Sequence, residues 1–284
     1  ERTSKINLGV LAVSPYEIHP IRIANSTATL NEMCGGRAIV AIGGGGAVLG
    51  AADVKPHRMV RGVLDCINIV KGMVSGQPFR YVGEVFSLKR PAHLSWVTQT
   101  PAKVFTCAAG PMMLNVSAKY ADGNQLSDIT PEKVGKYLEA LENPAVDNFR
   151  KSNFWAWHVK EDLEEAMDEA RRELAVRGEL FEPYDMLPYV TPEEREEVIK
   201  NIRAFQYAYW KKTGDVQGVD RAVVDKLATS FASAGDLSSV DDQIRRLKKF
   251  EEAGLTDLAL RLVNDPEKSM EIIAEKVLPQ FERH

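Results

Sequence analysis

The chain has 284 residues, of which 44% are hydrophobic and 27% charged, with a formal net charge of −4 at pH 7. This composition is typical of a soluble globular protein, and nothing in it indicates the clustered basic surface that nucleic-acid binding needs. No apolar run reaches the length of a membrane span, and no basic-then-apolar signal segment opens the chain. Cys34, Cys66 and Cys107 are too far apart for a CxxC metal site or a disulfide framework, so they indicate reduced thiols in a cytoplasmic protein.

The first predicted unit is a strand, a helix and a second strand. Residues 6–13 are predicted to form a buried strand, residues 21–33 a helix and residues 38–42 a second buried strand. Four glycines, Gly43 to Gly46, follow the second strand directly. Because parallel α/β sheets bind ligands at the carboxyl ends of their strands, this unit predicts a hollow lined by backbone.

Strands and helices alternate along the rest of the chain. A helix is predicted from about residue 57 to 73, then a small hairpin over residues 79–88, and further strands at 103–109, 123–127, 153–159 and 257–263. Residues 178–235 contain helical patterns and few glycines, which indicates an insertion. A closed (β/α)8 barrel needs eight strands, so at about 30 residues for each βα unit the six predicted strands leave two units missing.

Two helix starts follow predicted strands. Ala109, Gly110 and Pro111 begin the helix over residues 112–120, where proline is favourable because its missing N–H has no helical partner. The free N–H groups and the positive dipole end of such a start favour an anion. Thr130 and Pro131 begin another helix, and Thr130 either caps it or supplies a hydroxyl donor to a ligand.

Several segments, in matching order, resemble the bacterial luciferase-like superfamily, which includes coenzyme F420-dependent reductases and FMN-dependent monooxygenases. These segments are residues 8–16 followed by His19-Pro20, 28–37, 42–45, 81–86, 108–113 followed by 121–123, 253–255 and 277–279. Their spacing is most similar to the methylene-tetrahydromethanopterin reductase branch. The resemblance implies an α/β fold, a luciferase-like TIM (β/α)8 barrel forming one domain over 1–284, with a helical insertion at about 178–235 before the last strand. Barrel strands 1 and 2 would then be absent, and the polar start indicates truncation.

The resemblance also implies a cofactor site. Leu11 and Ala12 align with a β-bulge, often containing a cis peptide, on which the cofactor ring rests, and the glycine run and the start of the 112–120 helix hold the rest of the cofactor. The implied cofactor-binding residues are Leu11, Ala12, Gly43, Gly44, Gly45, Ala108, Ala109, Gly110, Pro111 and Ser127. Relatives often have an acid or polar residue at Gly46, so a candidate proton donor is lost here. No catalytic residue is named, and no metal is expected.

His19, His158 and Arg261 are the residues that the resemblance implies for substrate binding. His19 precedes Pro20 at the carboxyl rim, and its alternative is a plain loop histidine. His158 lies on a predicted strand, where stacking or shape is its expected role. Arg261 lies on the last strand, either at the mouth of the barrel to bind an acidic group or in a buried ion pair.

Structural alternatives stand beside these functional interpretations. The glycine run is also consistent with a tight strand-to-helix turn, and Leu11-Ala12 with a plain buried strand. Glu32 is expected to be structural, by pairing with Arg37 or by capping. The acidic run over residues 161–173 is expected to form a solvated helix face.

The sequence therefore predicts an oxidoreductase that uses coenzyme F420 for hydride transfer to or from a small organic substrate. The alternatives are an FMN-dependent luciferase-like monooxygenase and a non-catalytic flavin-binding protein. A barrel aldolase or isomerase is disfavoured because no lysine nucleophile or carboxylate pair lies at the strand ends. The resemblance implies a homodimer, the cysteine usage indicates a cytoplasmic protein, and no nucleic-acid or membrane partner is expected.

Overall fold

A computed structural model describes residues 4–177, 186 and 188–281. The chain forms two compact units, which are treated separately below. The first contains the residues up to Leu126 together with Lys136–Ser152, and the second contains Ser127–Gly135 and the residues from Asn153 onwards. Within the described ranges, no helix is long and apolar enough to cross a membrane.

The described residues form strands and helices that alternate along the chain. The strands are β1 (Leu8–Val13), β2 (Ala38–Ile42), β3 (Phe79–Val82), β4 (Ser87–Ala92), β5 (Lys103–Cys107), β6 (Gly123–Ser127), β7 (Arg150–Val159), β8 (Ser233–Gly235) and β9 (Asp257–Arg261). The helices are α1 (Pro20–Met33), α2 (Ala47–Ala51), α3 (Met59–Val74), α4 (Pro111–Tyr120), α5 (Pro131–Glu139), α6 (Leu163–Glu173), α7 (Pro192–Lys200), α8 (Ile202–Lys211), α9 (Arg221–Phe231), α10 (Val240–Glu252) and α11 (Pro266–Ile272).

The first unit is a parallel sheet with the strand order β1-β2-β5-β6. Leu8 pairs with Ala38, Ile39 with Lys103 and Phe105 with Gly123, so the carboxyl ends of all four strands lie at one edge. Helices α1 and α3 pack against each other, and the apolar side chains of these helices form a buried core with those of β2 and β5. The antiparallel pair β3 and β4 is the predicted hairpin.

The second unit contains β7 paired with both β8 and β9, and β7 and β8 are parallel. Its core includes Phe205 of α8, Leu227 and Phe231 of α9, and Leu174, which directly follows α6. Helix α7 begins with a capping box, in which Thr191 and Glu194 each accept a hydrogen bond from the other's backbone N–H.

The predicted α/β class with parallel strands and a helical insertion is confirmed, since α7, α8 and α9 occupy residues 192–231. Residues 178–185 and 187 of the predicted insertion lie outside the described residues. Strand β8 was not predicted, because three residues of serine, alanine and glycine carry no hydrophobic alternation. The five-residue helix α2 was also missed. That residues 1–284 form a single barrel domain stays a prediction.

Candidate functional site

The carboxyl ends of β1, β2 and β5 converge on Gly43. A Cβ atom added at this glycine would lie 3.4 Å from the Cβ of Ala12 and 3.6 Å from the Cβ of Cys107. Leu11, which precedes Ala12 in β1, is 46% exposed. The three strand ends therefore present an apolar surface that has no side chain at its centre.

Strand β1 has the local geometry that the resemblance implied. The peptide bond between Leu11 and Ala12 is cis, and the pairing of β1 with β2 shifts register between Val10 and Val13. The side chains of β1 are mostly exposed rather than buried. The alternative of a plain buried strand is therefore wrong.

The glycine run, Gly43 to Gly46, forms a tight turn at Gly44 and Gly45 and leaves free space around Gly46. An added Cβ atom would clash with the sulfur of Met59 at Gly44 and with a methyl of Leu49 at Gly45, where φ is +98°. Side chains of the protein itself thus occupy the space at these two glycines. This agrees with the alternative interpretation of the run as a tight strand-to-helix turn. At Gly46 nothing lies within 4 Å. Cofactor contacts at Gly44 and Gly45 stay predictions.

The loop from β5 to α4 is held by hydrogen bonds of the buried Asn124 side chain. The Asn124 side chain donates to the carbonyl oxygen of Ala108 at 3.1 Å and accepts from the Thr106 hydroxyl at 2.7 Å. Gly110, the N-cap of α4, makes no side-chain capping bond, and an added Cβ there would meet nothing within 4 Å. The first turn of α4 therefore has no side-chain cap, and the binding of an anion there stays a prediction. Asn124 was missed, although an asparagine in a buried strand is a usable signal.

His19 lies at the carboxyl rim of the first unit and caps α1. Its Nδ1 accepts from the N–H of Ile21 at 3.3 Å, and its ring meets the ring of Phe86 edge-on with centroids 5.7 Å apart. The capping bond gives this histidine a structural role. Its proposed role in substrate binding stays a prediction.

Asp65, a buried carboxylate on α3, holds the hairpin that carries Phe86. It accepts from the N–H of Val85 at 2.7 Å, from that of Phe86 at 3.0 Å and from the hydroxyl of Tyr81 at 2.8 Å. Burial and the hydrogen bond to Asp65 raise the pKa of Tyr81 to about 12. The sequence carries no local signal for Asp65, because its partners lie 16 to 21 residues away.

Glu32 has a structural role, as expected, but it does not pair with Arg37. Its carboxylate accepts from the N–H groups of Thr98 and Gln99 at 2.8 and 3.0 Å and from the Thr98 hydroxyl at 2.5 Å. Arg37 instead donates to the carbonyl oxygens of Cys34 and Ile6. These hydrogen bonds from Thr98 and Gln99 hold the pKa of Glu32 below its usual value.

In the second unit, His158 of β7 pairs with Glu169 of α6. The Nδ1 of His158 lies 2.7 Å from a carboxylate oxygen of Glu169, and both side chains are buried. The other Glu169 oxygen accepts from the N–H of Asn264 at 3.0 Å and lies 3.3 Å from the amine of Lys160. Burial opposes the charge of Glu169, yet the hydrogen bonds from His158 and from the N–H of Asn264 and the positive charge of Lys160 together outweigh burial and lower the pKa of this carboxyl.

Further ion pairs connect α6 and its continuation to β9 and to the loop after β6. Arg261 lies 2.8 Å from Glu173, so the ion-pair alternative applies to this arginine. Arg177 pairs with Asp128, which also accepts from the Ser127 hydroxyl at 2.9 Å. Cofactor binding by Ser127 and substrate binding by His158 and Arg261 stay predictions.

The prediction that residues 161–173 form a solvated helix face is wrong for the C-terminal half of this segment. Its buried charged residues are Glu169, Arg171, Arg172 and Glu173. Glu169, Arg172 and Glu173 pair with one another and with Lys160 and Arg261. Arg171 pairs instead with Glu164 and Asp225. A helix rich in charge on all sides gives no pattern from which such pairing can be read.

The His158–Glu169 pair predicts that acid destabilises the fold. Burial is the main cause that lowers the pKa of His158 below its ordinary value of 6.5. Below pH 6.5 the unfolded chain takes up a proton that the folded protein does not. The contribution of His158 to the free energy of unfolding is therefore fully present above pH 6.5 and is lost progressively as the pH falls below 6.5. We expect a slope of up to about 1.4 kcal/mol per pH unit from this residue.

Urea unfolding between pH 7.5 and 5.5 measures this slope. His158→Gln should flatten it. Equal slopes for wild type and His158→Gln would contradict the prediction.

Comparison with known proteins gives concordant results. A family model described as luciferase-like monooxygenase matches residues 1–257. A 5,10-methylenetetrahydromethanopterin reductase of Archaeoglobus fulgidus is 26% identical over 292 residues, covering 99% of this chain and 84% of that protein.

Two solved structures share the fold. The coenzyme F420-dependent tetrahydromethanopterin reductase from Methanopyrus kandleri matches with a TM-score of 0.77 and 19% identity, over 99% of this chain and 85% of that one. An F420-dependent secondary alcohol dehydrogenase, in complex with an F420-acetone adduct, matches with a TM-score of 0.70 and 19% identity, over 99% and 81%. These matches confirm the predicted luciferase-like barrel fold. Because the family model covers most of the sequence, the chain belongs to the luciferase-like monooxygenase family.

Proposed function

We propose that this protein is an oxidoreductase that uses coenzyme F420 to transfer a hydride to or from a small organic substrate. The observation that carries the proposal is the apolar surface at the ends of β1, β2 and β5, where Gly43 lacks a side chain beside Ala12. A flat ring system needs such a surface. The relative from Archaeoglobus fulgidus and both solved structures are reductases or dehydrogenases by name, which supports hydride transfer.

The residues of the first unit fit the cofactor. Leu11 and Ala12 would contact the ring through apolar atoms, and Gly43 would allow its close approach. The N–H groups at the uncapped start of α4, after Gly110, would meet the negatively charged tail. Bound F420 supplies the hydride chemistry at its ring. The protein's part is to bind and orient that ring and to keep water away.

We also propose that His19, His158 and Arg261 contact the substrate, and that the protein acts as a homodimer in the cytoplasm. The free thiols of the three cysteines support a reducing compartment. Light scattering of the purified protein, which gives the molar mass in solution, tests the homodimer.

Titration of the purified protein with F420 and with FMN, followed by absorbance and fluorescence, tests the proposal. We expect F420 to bind more tightly. Gly43→Val fills the centre of the apolar surface and should weaken F420 binding about tenfold or more. Gly50→Val is the matched control, because Gly50 lies on α2 with nothing within 4 Å of an added Cβ.

Each outcome of the titration separates the candidate functions. Preference for FMN would favour the monooxygenase, as the family's description suggests, or a flavin carrier, and turnover with a substrate panel separates those two. Binding of neither cofactor, or equal F420 binding by Gly43→Val and wild type, would contradict the proposal.

A further inference from the structure

Arg177, in the second unit, has a buried guanidinium that the described chain uses only in part. The residue is 1% exposed, and its Nη1 pairs with Asp128. Its Nη2 is buried without a hydrogen-bond partner among the residues that the structure describes. A guanidinium stays charged in proteins, and a buried donor without an acceptor is costly. A bound group that accepts a hydrogen bond from Nη2 would therefore be stabilised at this position.

The charges around Arg177 do not cancel. The cluster contains the cations Lys160, Arg172, Arg177 and Arg261 and the carboxylates Asp128, Glu169 and Glu173. One positive charge is left over among these described side chains while His158 is neutral. Uncompensated charge in a buried environment is strongly unfavourable. One additional negative group would balance the cluster.

His158 supplies a second buried atom without a partner. Its Nδ1 is engaged by Glu169, and its Nε2 has no hydrogen-bond partner among the described residues. After burial, the positive charge of Arg177 is a further cause that lowers the pKa of His158, so the two side chains share one electrostatic environment. Both atoms are buried and lack a hydrogen-bond partner among the described residues, but only the Arg177 nitrogen carries hydrogens that can be donated to an anion.

The cluster lies where strands end. Asp128 follows β6, His158 is the penultimate residue of β7, and Arg261 is the last residue of β9. The carboxyl ends of strands carry the active sites of barrel enzymes. The position therefore suits substrate binding better than a purely structural ion-pair network.

We infer that this cluster binds the carboxylate of an acidic organic substrate, with Arg177 Nη2 donating to a carboxylate oxygen. The planar guanidinium matches a carboxylate in shape and charge, and the added negative charge neutralises the cluster. The inference rests on the proposed function, since it names the substrate class of that reaction.

Calorimetric titration of the F420-loaded protein with succinate, with its neutral analogue succinamide and with inorganic phosphate tests the inference. Wild type should bind succinate saturably and succinamide not at all. Arg177→Lys keeps the charge but loses the second nitrogen, so it should bind succinate about tenfold more weakly. Arg171→Gln is the matched control, because buried Arg171 already pairs with both Glu164 and Asp225.

A double variant avoids leaving one charge of the Arg177–Asp128 pair buried without its partner, which could unfold the protein. Arg177→Met combined with Asp128→Asn removes both charges of the pair together, and it should abolish succinate binding. Succinate binding by this variant as tight as in wild type, no succinate binding by wild type, or stronger binding of phosphate than of succinate would each overturn the inference. F420 binding is measured in the same samples. Retained F420 binding without succinate binding overturns only this inference, whereas absent F420 binding in wild type contradicts the proposed function.

Discussion

Asp65→Ala is expected to lower the free energy of unfolding by about 3–5 kcal/mol. The substitution removes the acceptor of three hydrogen bonds, and it leaves the N–H groups of Val85 and Phe86 and the Tyr81 hydroxyl without this partner. Asp65 is 3% exposed, so water does not replace the lost acceptor without rearrangement. Urea unfolding followed by circular dichroism measures the loss.

Glu32→Ala is a matched control for Asp65→Ala. Glu32 also accepts from two consecutive N–H groups and one hydroxyl, but it is only partly buried, so solvent can take over its role. The loss of stability should be clearly smaller than for Asp65→Ala. Similar losses for the two variants would show that burial does not govern the strength of these anchors.

Glu169→Ala is expected to destabilise the protein by about 3–5 kcal/mol. Removing this carboxylate leaves Lys160 without its ion-pair partner at 3.3 Å and His158 without its hydrogen-bond partner at 2.7 Å, in a site that water hardly reaches. The N–H of Asn264 also loses its acceptor. The change in the midpoint of urea unfolding at pH 7.5 reports the effect.

Glu164→Ala provides the comparison for Glu169→Ala. Glu164 lies on the same helix and bridges Arg171 and Arg221, but its side chain is 66% exposed. Exposed ion pairs contribute little, so this variant should stay close to wild type. If both variants unfolded at the same urea concentration, the buried position of Glu169 would not matter for stability.

Local sequence determined most of the architecture that carries the candidate site. The alternation of apolar strands with amphipathic helices predicted β1, β2, β5, β6, β7 and β9 to within a few residues at each end. The segment resemblance also implied the irregular geometry at Leu11 and Ala12. The predicted strands depend on short-range patterns of hydrophobicity, glycine and proline, which one stretch of chain can display by itself.

The polar partners could not be predicted in the same way. His158 pairs with Glu169, eleven residues along the chain, and the sequence did not predict this contact. Glu169 and Arg177 belong to a segment whose charges gave no periodic signal. The space at Gly44 is occupied by Met59, a residue of the next long helix. Each of these contacts depends on how separate elements pack.

The sequence by itself determined the α/β class, the strand order in the chain and the positions of the strand ends, because backbone preferences and hydrophobic periodicity act locally. Only the tertiary structure decided which strand ends meet at Gly43 and which buried charges are paired. It also left Arg177 Nη2 without a hydrogen-bond partner among the described residues. The physical reason is that desolvation and ion pairing depend on distances across the fold, which no local pattern of residues encodes.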